Sequence, residues 1–229
     1  MLLKKKEVIP DLVTLALDTV ALRIPKQDLS LQLLRQLDFP LAAPSANPFG
    51  YISPTCAAHV YHQLNGKIPY ILDGGACEVG VESTIVGFEN NQVIVYRLGG
   101  LSLEELERVA GTVIVNSVSS SNPVAPGLLK SHYAPRTPFR LVTASEAVSL
   151  KLQKNSAAIG FNEWLPGVPK NQQFLLSEKG NLKEAAKNLF AVMRQLDQMQ
   201  LDEIVAVEFP EIELGKAIND RLHRSAAKH

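Results

Sequence analysis

Asn181-Leu182-Lys183-Glu184-Ala185-Ala186-Lys187-Asn188-Leu189-Phe190-Ala191-Val192-Met193-Arg194-Gln195-Leu196, with Ile204-Val205-Ala206-Val207-Glu208-Phe209 close behind it, decides the fold. Leu182, Ala185, Ala186, Leu189, Met193 and Leu196 recur at helical spacing, so a helix over 181–200 presents one apolar face. The β-rich run at 204–209 gives that face a sheet to cover. Working outward, 139–143, 157–161 and 173–176 read as strands, and 145–153 as a helix between the first two. Alternation of this kind implies a small parallel or mixed α/β sheet, and a last amphipathic helix over 215–227 closes it.

Further upstream the chain holds a second set of elements. A β-rich run at 20–24 stops at Pro25, and Asp28 caps a helical pattern with leucines at 29, 33, 34 and 37. A short strand at 41–43 leads into the turn-rich Pro44-Ser45-Ala46-Asn47-Pro48-Phe49-Gly50. Ser53-Pro54-Thr55 opens a helix that Asn65-Gly66 ends. Residues 70–73 read as a strand, and 83–88 with 93–96 as a hairpin around the four-residue loop Glu89-Asn90-Asn91-Gln92. Ser102 and Glu105 form a capping box for a helix through Val109 that Gly111 ends, and 112–115 is a final strand. Four serines within 117–121, then Pro123, Pro126, Pro135 and Pro138, mark a linker. The expected organisation is a first α/β unit over 1–115, a linker or lid over 116–138, and a small α/β domain over 139–229.

Acidic and basic residues balance at 23 each, so no field of the whole molecule draws it to nucleic acid or an anionic membrane. An apolar fraction of 46% excludes a mostly disordered chain. No apolar run is long enough to cross a bilayer, and Met1-Leu2-Leu3 runs straight into Lys4-Lys5-Lys6, unlike a signal peptide, so a cytoplasmic protein is expected. Cys56 and Cys77 lack zinc or redox spacing and read as reduced core thiols.

The first unit concentrates groups suited to anions and hydroxyls. Arg23, at a strand end, can grip a carboxylate or phosphate through two parallel hydrogen bonds, or form a surface salt bridge. Ser45 and Asn47 sit where α/β sheets bind ligands, but also where turns need such residues. Ser53-Pro54-Thr55 fits a phosphate at a helix N-terminus or a plain cap. Asp73-Gly74-Gly75 allows close backbone approach or only a tight turn. Glu82-Ser83-Thr84 and Arg97 stand at two strand ends beside one loop, which suggests a shared pocket. His59 and His62 share a helix face but lack a third zinc-like ligand, which favours a solvated or partly buried pair. His132-Tyr133-Ala134-Pro135 puts two amphipathic rings into a linker, which needs none unless they cover something.

In order and spelling, these segments together with Val79-Gly80-Val81-Glu82-Ser83-Thr84-Ile85, Tyr96-Arg97-Leu98-Gly99 and Ala125-Pro126-Gly127 resemble the YrdC-like family. The linker motifs and the second unit, ending Asn219-Asp220-Arg221-Leu222, resemble its long two-domain form, the threonylcarbamoyl-AMP synthases. The resemblance covers essentially the whole chain. It implies part of a twisted YrdC-like α/β domain, then a linker and a small Rossmann-like α/β domain. It also implies a nucleotidyltransferase that makes threonylcarbamoyl-AMP and pyrophosphate from L-threonine, bicarbonate or CO2, and ATP with Mg²⁺. The product would pass to a separate transferase that modifies tRNA.

Carried over motif by motif, Arg23 would bind the threonine carboxylate, with the backbone of Ala43 and the hydroxyl of Ser83 completing that pocket. Thr19, Ser45, Ser53 and Arg97 would contact ATP, and Tyr133 would shut the site. The second domain would support the lid and bring no catalytic group. The family also carries, before the point matching Met1, a lysine and an arginine on the triphosphate; the chain read alone is expected to bind ATP poorly and turn over slowly. A monomer without membrane contact is expected. A non-catalytic RNA-binding module is the runner-up, for which the only cationic run is Lys4 to Lys6. A carbamoyl-transfer relative in cofactor maturation would need zinc-binding cysteines that are absent from the sequence, and an inactive remnant of the family shares the same ancestry.

Overall fold

The structure, a computed structural model, describes residues 1–116, 129 and 131–227. Its strands form three sheets. β1 (Leu2–Lys4) is joined through α1 (Asp11–Thr14) to the antiparallel β2 (Thr19–Ala21). After α2 (Asp28–Leu34) and α3 (Ala57–Leu64), β3 (Ile85–Glu89) and β4 (Gln92–Arg97) make a hairpin. α4 (Leu103–Ala110) then returns the chain so that β5 (Val113–Val115) lies parallel on β4. Leu2, Ile85, Ile94 and Tyr96 bury a small core where β1 meets this second sheet.

Beyond residue 138 come β6 (Phe139–Val142), α5 (Ala144–Ala147), β7 (Ser156–Gly160), β8 (Gln173–Leu175), α6 (Leu182–Gln198), β9 (Glu203–Val207) and α7 (Glu213–Ala226). The sheet order is β6-β9-β7-β8 and every pair is parallel. A parallel sheet must be covered on both faces. Ile204 and Ala206 of β9 pack with Leu189, Phe190, Met193 and Leu196 of α6 and with Ile218 and Leu222 of α7. Val205 and Val207 point the other way, onto Val142, Ala147, Leu150 and Val168. Asn181 caps α6 by accepting from the N–H groups of Lys183 and Glu184 at 2.9 and 3.0 Å. The expected two-part α/β architecture is thus present.

Several local expectations change. The runs at 41–43 and 70–73 are not strands, because no neighbouring segment among the described residues offers them a hydrogen-bonding ladder. In the same unit Leu12, Ile24, Phe49 and Tyr70 stand 87% to 90% exposed. The cap of α2 is Gln27 rather than Asp28, its Oε1 accepting from Ser30 N–H at 2.6 Å. α3 starts past Ser53-Pro54-Thr55, since the Ser53 hydroxyl is committed elsewhere; Thr55 N–H instead donates to His59 Nδ1 at 3.2 Å. The β3–β4 turn has two residues, not four: Asn90 and Asn91 take φ of 48° and 61°, which asparagine tolerates and which matches strand twist. α5 ends early, where the chain turns to bury Leu150. Cys56 is half-buried and Cys77 exposed, so Cys77 is not a core thiol. The serine run and Ala125-Pro126-Gly127 lie outside the described residues.

The capping box of α4 is present, with the Ser102 hydroxyl accepting from Glu105 N–H at 3.2 Å. Ser102→Ala is expected to cost about 1 kcal/mol in urea denaturation, and Ser102→Thr far less.

The two parts share a core. Ile52 from the first unit and Tyr133 from the linker are buried in the α6 cluster, and Tyr133 stacks on Phe190 at 5.4 Å between ring centres. Arg194 of α6 donates from Nε to Ser53 O at 3.1 Å, from Nη2 to Ile52 O, and from Nη2 to Gln63 Oε1 at 2.9 Å. Asp197 accepts the Tyr51 hydroxyl at 2.6 Å and the Thr137 N–H at 2.8 Å. Gly80 touches α6 so closely that a Cβ there would lie 2.4 Å from Lys187 O.

Candidate active site

The loop before β3 and the end of β4 meet where the sequence placed two polar strand ends. Arg97 donates from Nη2 and Nε to Ser83 O at 2.7 and 3.1 Å, and reaches the Ser83 hydroxyl at 3.4 Å. Glu82, next in the chain, points inward: Oε1 accepts the Ser53 hydroxyl at 2.6 Å, and Oε2 accepts Arg221 Nε at 2.8 Å. Gly99 makes this possible, since a Cβ there would lie 2.3 Å from Glu82 O.

Residues 132–134 pack against the same region. Tyr133 is 1% exposed; its ring stacks on Phe190, and the Arg221 guanidinium carbon lies 5.1 Å from the ring centre. His132 packs edge-on against Tyr133 at 4.1 Å and Phe49 at 6.2 Å. Ala134 N–H donates to Gly50 O at 2.9 Å, so the turn 44–50 runs directly beside the linker. His132 thus meets Phe49, and Tyr133 meets Phe190 of α6.

Charge follows from burial. Desolvation alone would raise the Glu82 carboxyl, but the Arg221 guanidinium, the Ser53 hydroxyl and Arg97 outweigh it and hold it below its ordinary 4.5. Burial, then the like charge of Arg221, lowers Arg97, while Tyr133 and Glu82 oppose this; Arg23 is near enough to add to the lowering. Burial raises the Tyr133 phenol, which keeps it a proton donor. Burial also lowers His132, helped by Arg221, Arg224 and Arg97 against the pull of Glu82. Its Nδ1 is buried with no partner among the described residues, so a proton gained there brings an unpaired charge.

The sign of the pH effect follows. A histidine held below 6.5 contributes stability that is complete above that value and is lost as pH falls below it. His59, also lowered by burial, adds to the same slope. The melting temperature is therefore expected to fall from about pH 7 to about pH 5, and His132→Phe to flatten part of that fall. An identical slope in the variant would show that His132 does not carry it. The Glu82 contribution behaves likewise but lower, complete above pH 4.5 and lost as pH drops through its depressed folded value.

Of the expected site residues, Ser53, Ser83, Arg97 and Tyr133 are brought into one network, with Arg23 exposed nearby. Thr19 is half-buried in β2, and Ala43 and Ser45 are exposed in the segment leading to the turn. No hydrogen bond among the described residues ties the side chains of Thr19 or Ser45 to that network. Glu82 and Arg221 lie inside the motifs read from the sequence, but no role for either follows from the sequence alone. The available signal was Arg221 itself, which lies on the same helical face as Ile218, Leu222 and Ser225, all buried.

Among the described residues no cluster of three or more His, Cys, Asp or Glu side chains could hold a metal ion, and no helix is long and apolar enough to cross a membrane. The family described as "Threonylcarbamoyl-AMP synthase, C-terminal domain" matches residues 101–227, and the one described as "Telomere recombination" matches 1–99. Threonylcarbamoyl-AMP synthase of Bacillus subtilis (strain 168) is 34% identical over 97% of this chain and 67% of its own length. That of Pyrococcus abyssi is 35% identical over 99% and 69%. A crystal structure of P. abyssi Sua5 complexed with L-threonine superposes with a TM-score of 0.87 at 34% identity, covering 98% of this chain and 69% of that one. A P. abyssi Sua5 variant with an adjacent His–Tyr pair changed to alanines gives 0.85 at 32% identity, covering 98% and 68%. The chain spans about two thirds of the length of these relatives.

Proposed function

The chain belongs to the threonylcarbamoyl-AMP synthase family, and from that premise we propose that its site joins L-threonine, bicarbonate or CO2, and ATP into threonylcarbamoyl-AMP and pyrophosphate. The observation that carries this reading is the superposition of nearly the whole chain on a relative whose crystal holds L-threonine.

The chemistry asks little covalent work of the protein. The threonine amine takes up CO2 and loses a proton to become a carbamate. A carbamate oxygen then bonds to the α-phosphorus of ATP as the bond to the β-phosphate oxygen breaks, and pyrophosphate leaves. Positioning and fixed charge suffice for both steps. Arg23 takes the threonine carboxylate, with the Ala43 backbone and the Ser83 hydroxyl beside it. Arg97, already hydrogen-bonded to Ser83, brings positive charge next to that pocket and faces the nucleotide with Thr19 and Ser45. Ser53 and Tyr133 complete the ATP contacts in this reading; both are buried, and the Ser53 hydroxyl donates to Glu82. Among the described residues no group of three or more His, Cys, Asp or Glu gathers to hold a metal by itself, so Mg²⁺ would come with the triphosphate, held by phosphate oxygens and water. Carbamate and mixed anhydride both decompose in water, so the linker at His132–Tyr133 must keep the site dry until a tRNA-modifying transferase receives the product.

Isothermal titration with L-threonine tests the assignment. Wild-type protein is expected to bind, and Arg23→Ala to weaken binding at least about tenfold through loss of a charge-assisted pair. Equal affinities would remove Arg23 from the site, and no binding to the wild type would remove the proposed function.

A further inference from the structure

The last helix holds an arginine that a support for the linker does not need. Arg221 is 0% exposed, and its three nitrogens point three ways. Nε donates to Glu82 Oε2 at 2.8 Å, Nη2 to Leu98 O at 2.7 Å, and Nη1 to Asp220. The guanidinium carbon lies over the Tyr133 ring, 5.1 Å from its centre. Glu82 and Leu98 are the chain neighbours of Ser83 and Arg97, the pair that meets at the candidate pocket. One side chain of the second domain therefore fixes both strand ends of the first unit and the linker tyrosine at once.

A purely stabilising role explains this poorly. Removing two charges from water costs several kcal/mol per ion in general, and a well-packed apolar pair of the same volume is often as stable or more so. What an apolar pair cannot supply is direction: three donors in a rigid plane set where Glu82 and Leu98 stand relative to each other. The neighbourhood is built to orient that plane. Asp220 is held in turn by Arg224, at 3.0 Å from Nε, while Arg224 Nη1 donates to Leu129 O at 2.5 Å and Ser225 donates to Tyr133 O at 3.0 Å.

We propose that Arg221 is a positioning residue for the reaction: acting through Glu82 and Leu98, it sets the Ser83 hydroxyl and the Arg97 guanidinium in their working places. The second domain is then a structural part of the substrate pocket. This rests on the proposed function, because Ser83 is read there as part of the threonine pocket.

The test compares three variants of the full chain with wild type by L-threonine calorimetry, urea denaturation and amide exchange over residues 79–84. Arg221→Met is expected to lower threonine affinity about tenfold and to speed exchange in that loop. Glu82→Met/Arg221→Met replaces the ion pair by an apolar one, and is expected to recover stability without recovering affinity. Lys216→Met, which breaks another ion pair, to Glu104 of α4 at 2.7 Å, is expected to leave affinity at the wild-type value. If the apolar double variant binds threonine like wild type, Arg221 is structural only and the inference is overturned. Where Arg221→Met alone fails to fold, the double variant decides. If the wild type does not bind threonine the proposed function fails, and unchanged loop exchange in the folded variants would separately refute the positioning role of Arg221.

Discussion

Phe190→Ala is expected to destabilise the protein by about 3–5 kcal/mol, the range for an aromatic ring removed from a closed core. Phe190 is fully buried, one face stacked on Tyr133 with an interplanar angle of 28°. It lies in the cluster that takes Ile52 from the first unit, Tyr133 from the linker, and Leu189, Met193 and Ile218 from the second domain. Deleting the ring removes its transfer energy and opens a cavity that three separate segments would have to collapse together to fill. Urea denaturation followed by far-ultraviolet circular dichroism measures the loss, and Phe190→Leu should give back more than half of it. A loss below about 1 kcal/mol would mean that the linker tyrosine is not packed as described.

Gly80→Ala is expected to cost about 3 kcal/mol, and in a different manner. The residue has φ of +79°, which disfavours any Cβ, and the added atom would lie 2.4 to 2.5 Å from backbone atoms of Ala186 and Lys187. Helical backbone cannot swing aside as a side chain can, so relief comes from parting the 79–82 loop from α6. That movement carries Glu82 away from Arg221. The variant should therefore unfold less cooperatively, with amide exchange rising first over 79–84 and around Tyr133 while the four-stranded sheet stays protected. A single unchanged transition would show that the loop does not rest on α6.

What could be read beforehand follows from how local each cause is. Asn181 and Ser102 cap their helices with hydrogen bonds spanning two or three residues, so both starts were visible. The Asn90-Asn91 turn was misread by two residues because its signal is backbone sign, not hydropathy. The runs at 41–43 and 70–73 have strand composition, yet a strand exists only beside a partner, and composition says nothing about partners. In the candidate site, Ser83 and Arg97 were legible as neighbours because β3 and β4 form a hairpin. The pairing of Glu82 with Arg221, 139 positions apart, was not. Arg221's place on the helix face that carries Ala217, Ile218 and Leu222 hinted that it had a buried partner.

That separation also orders events during synthesis. Ser83 and Arg97 leave the ribosome long before the helix that braces them, and so does the Ser53 carbonyl that Arg194 holds, 141 positions later. Until residue 221 has emerged, the nascent first unit has the Ser83–Arg97 contact but lacks the arginine that, in the role proposed above, fixes its surroundings. A pocket able to adenylate a carbamate before it was shielded would leak a short-lived product; under the proposed role of Arg221, competence would come only once the last helix is in place.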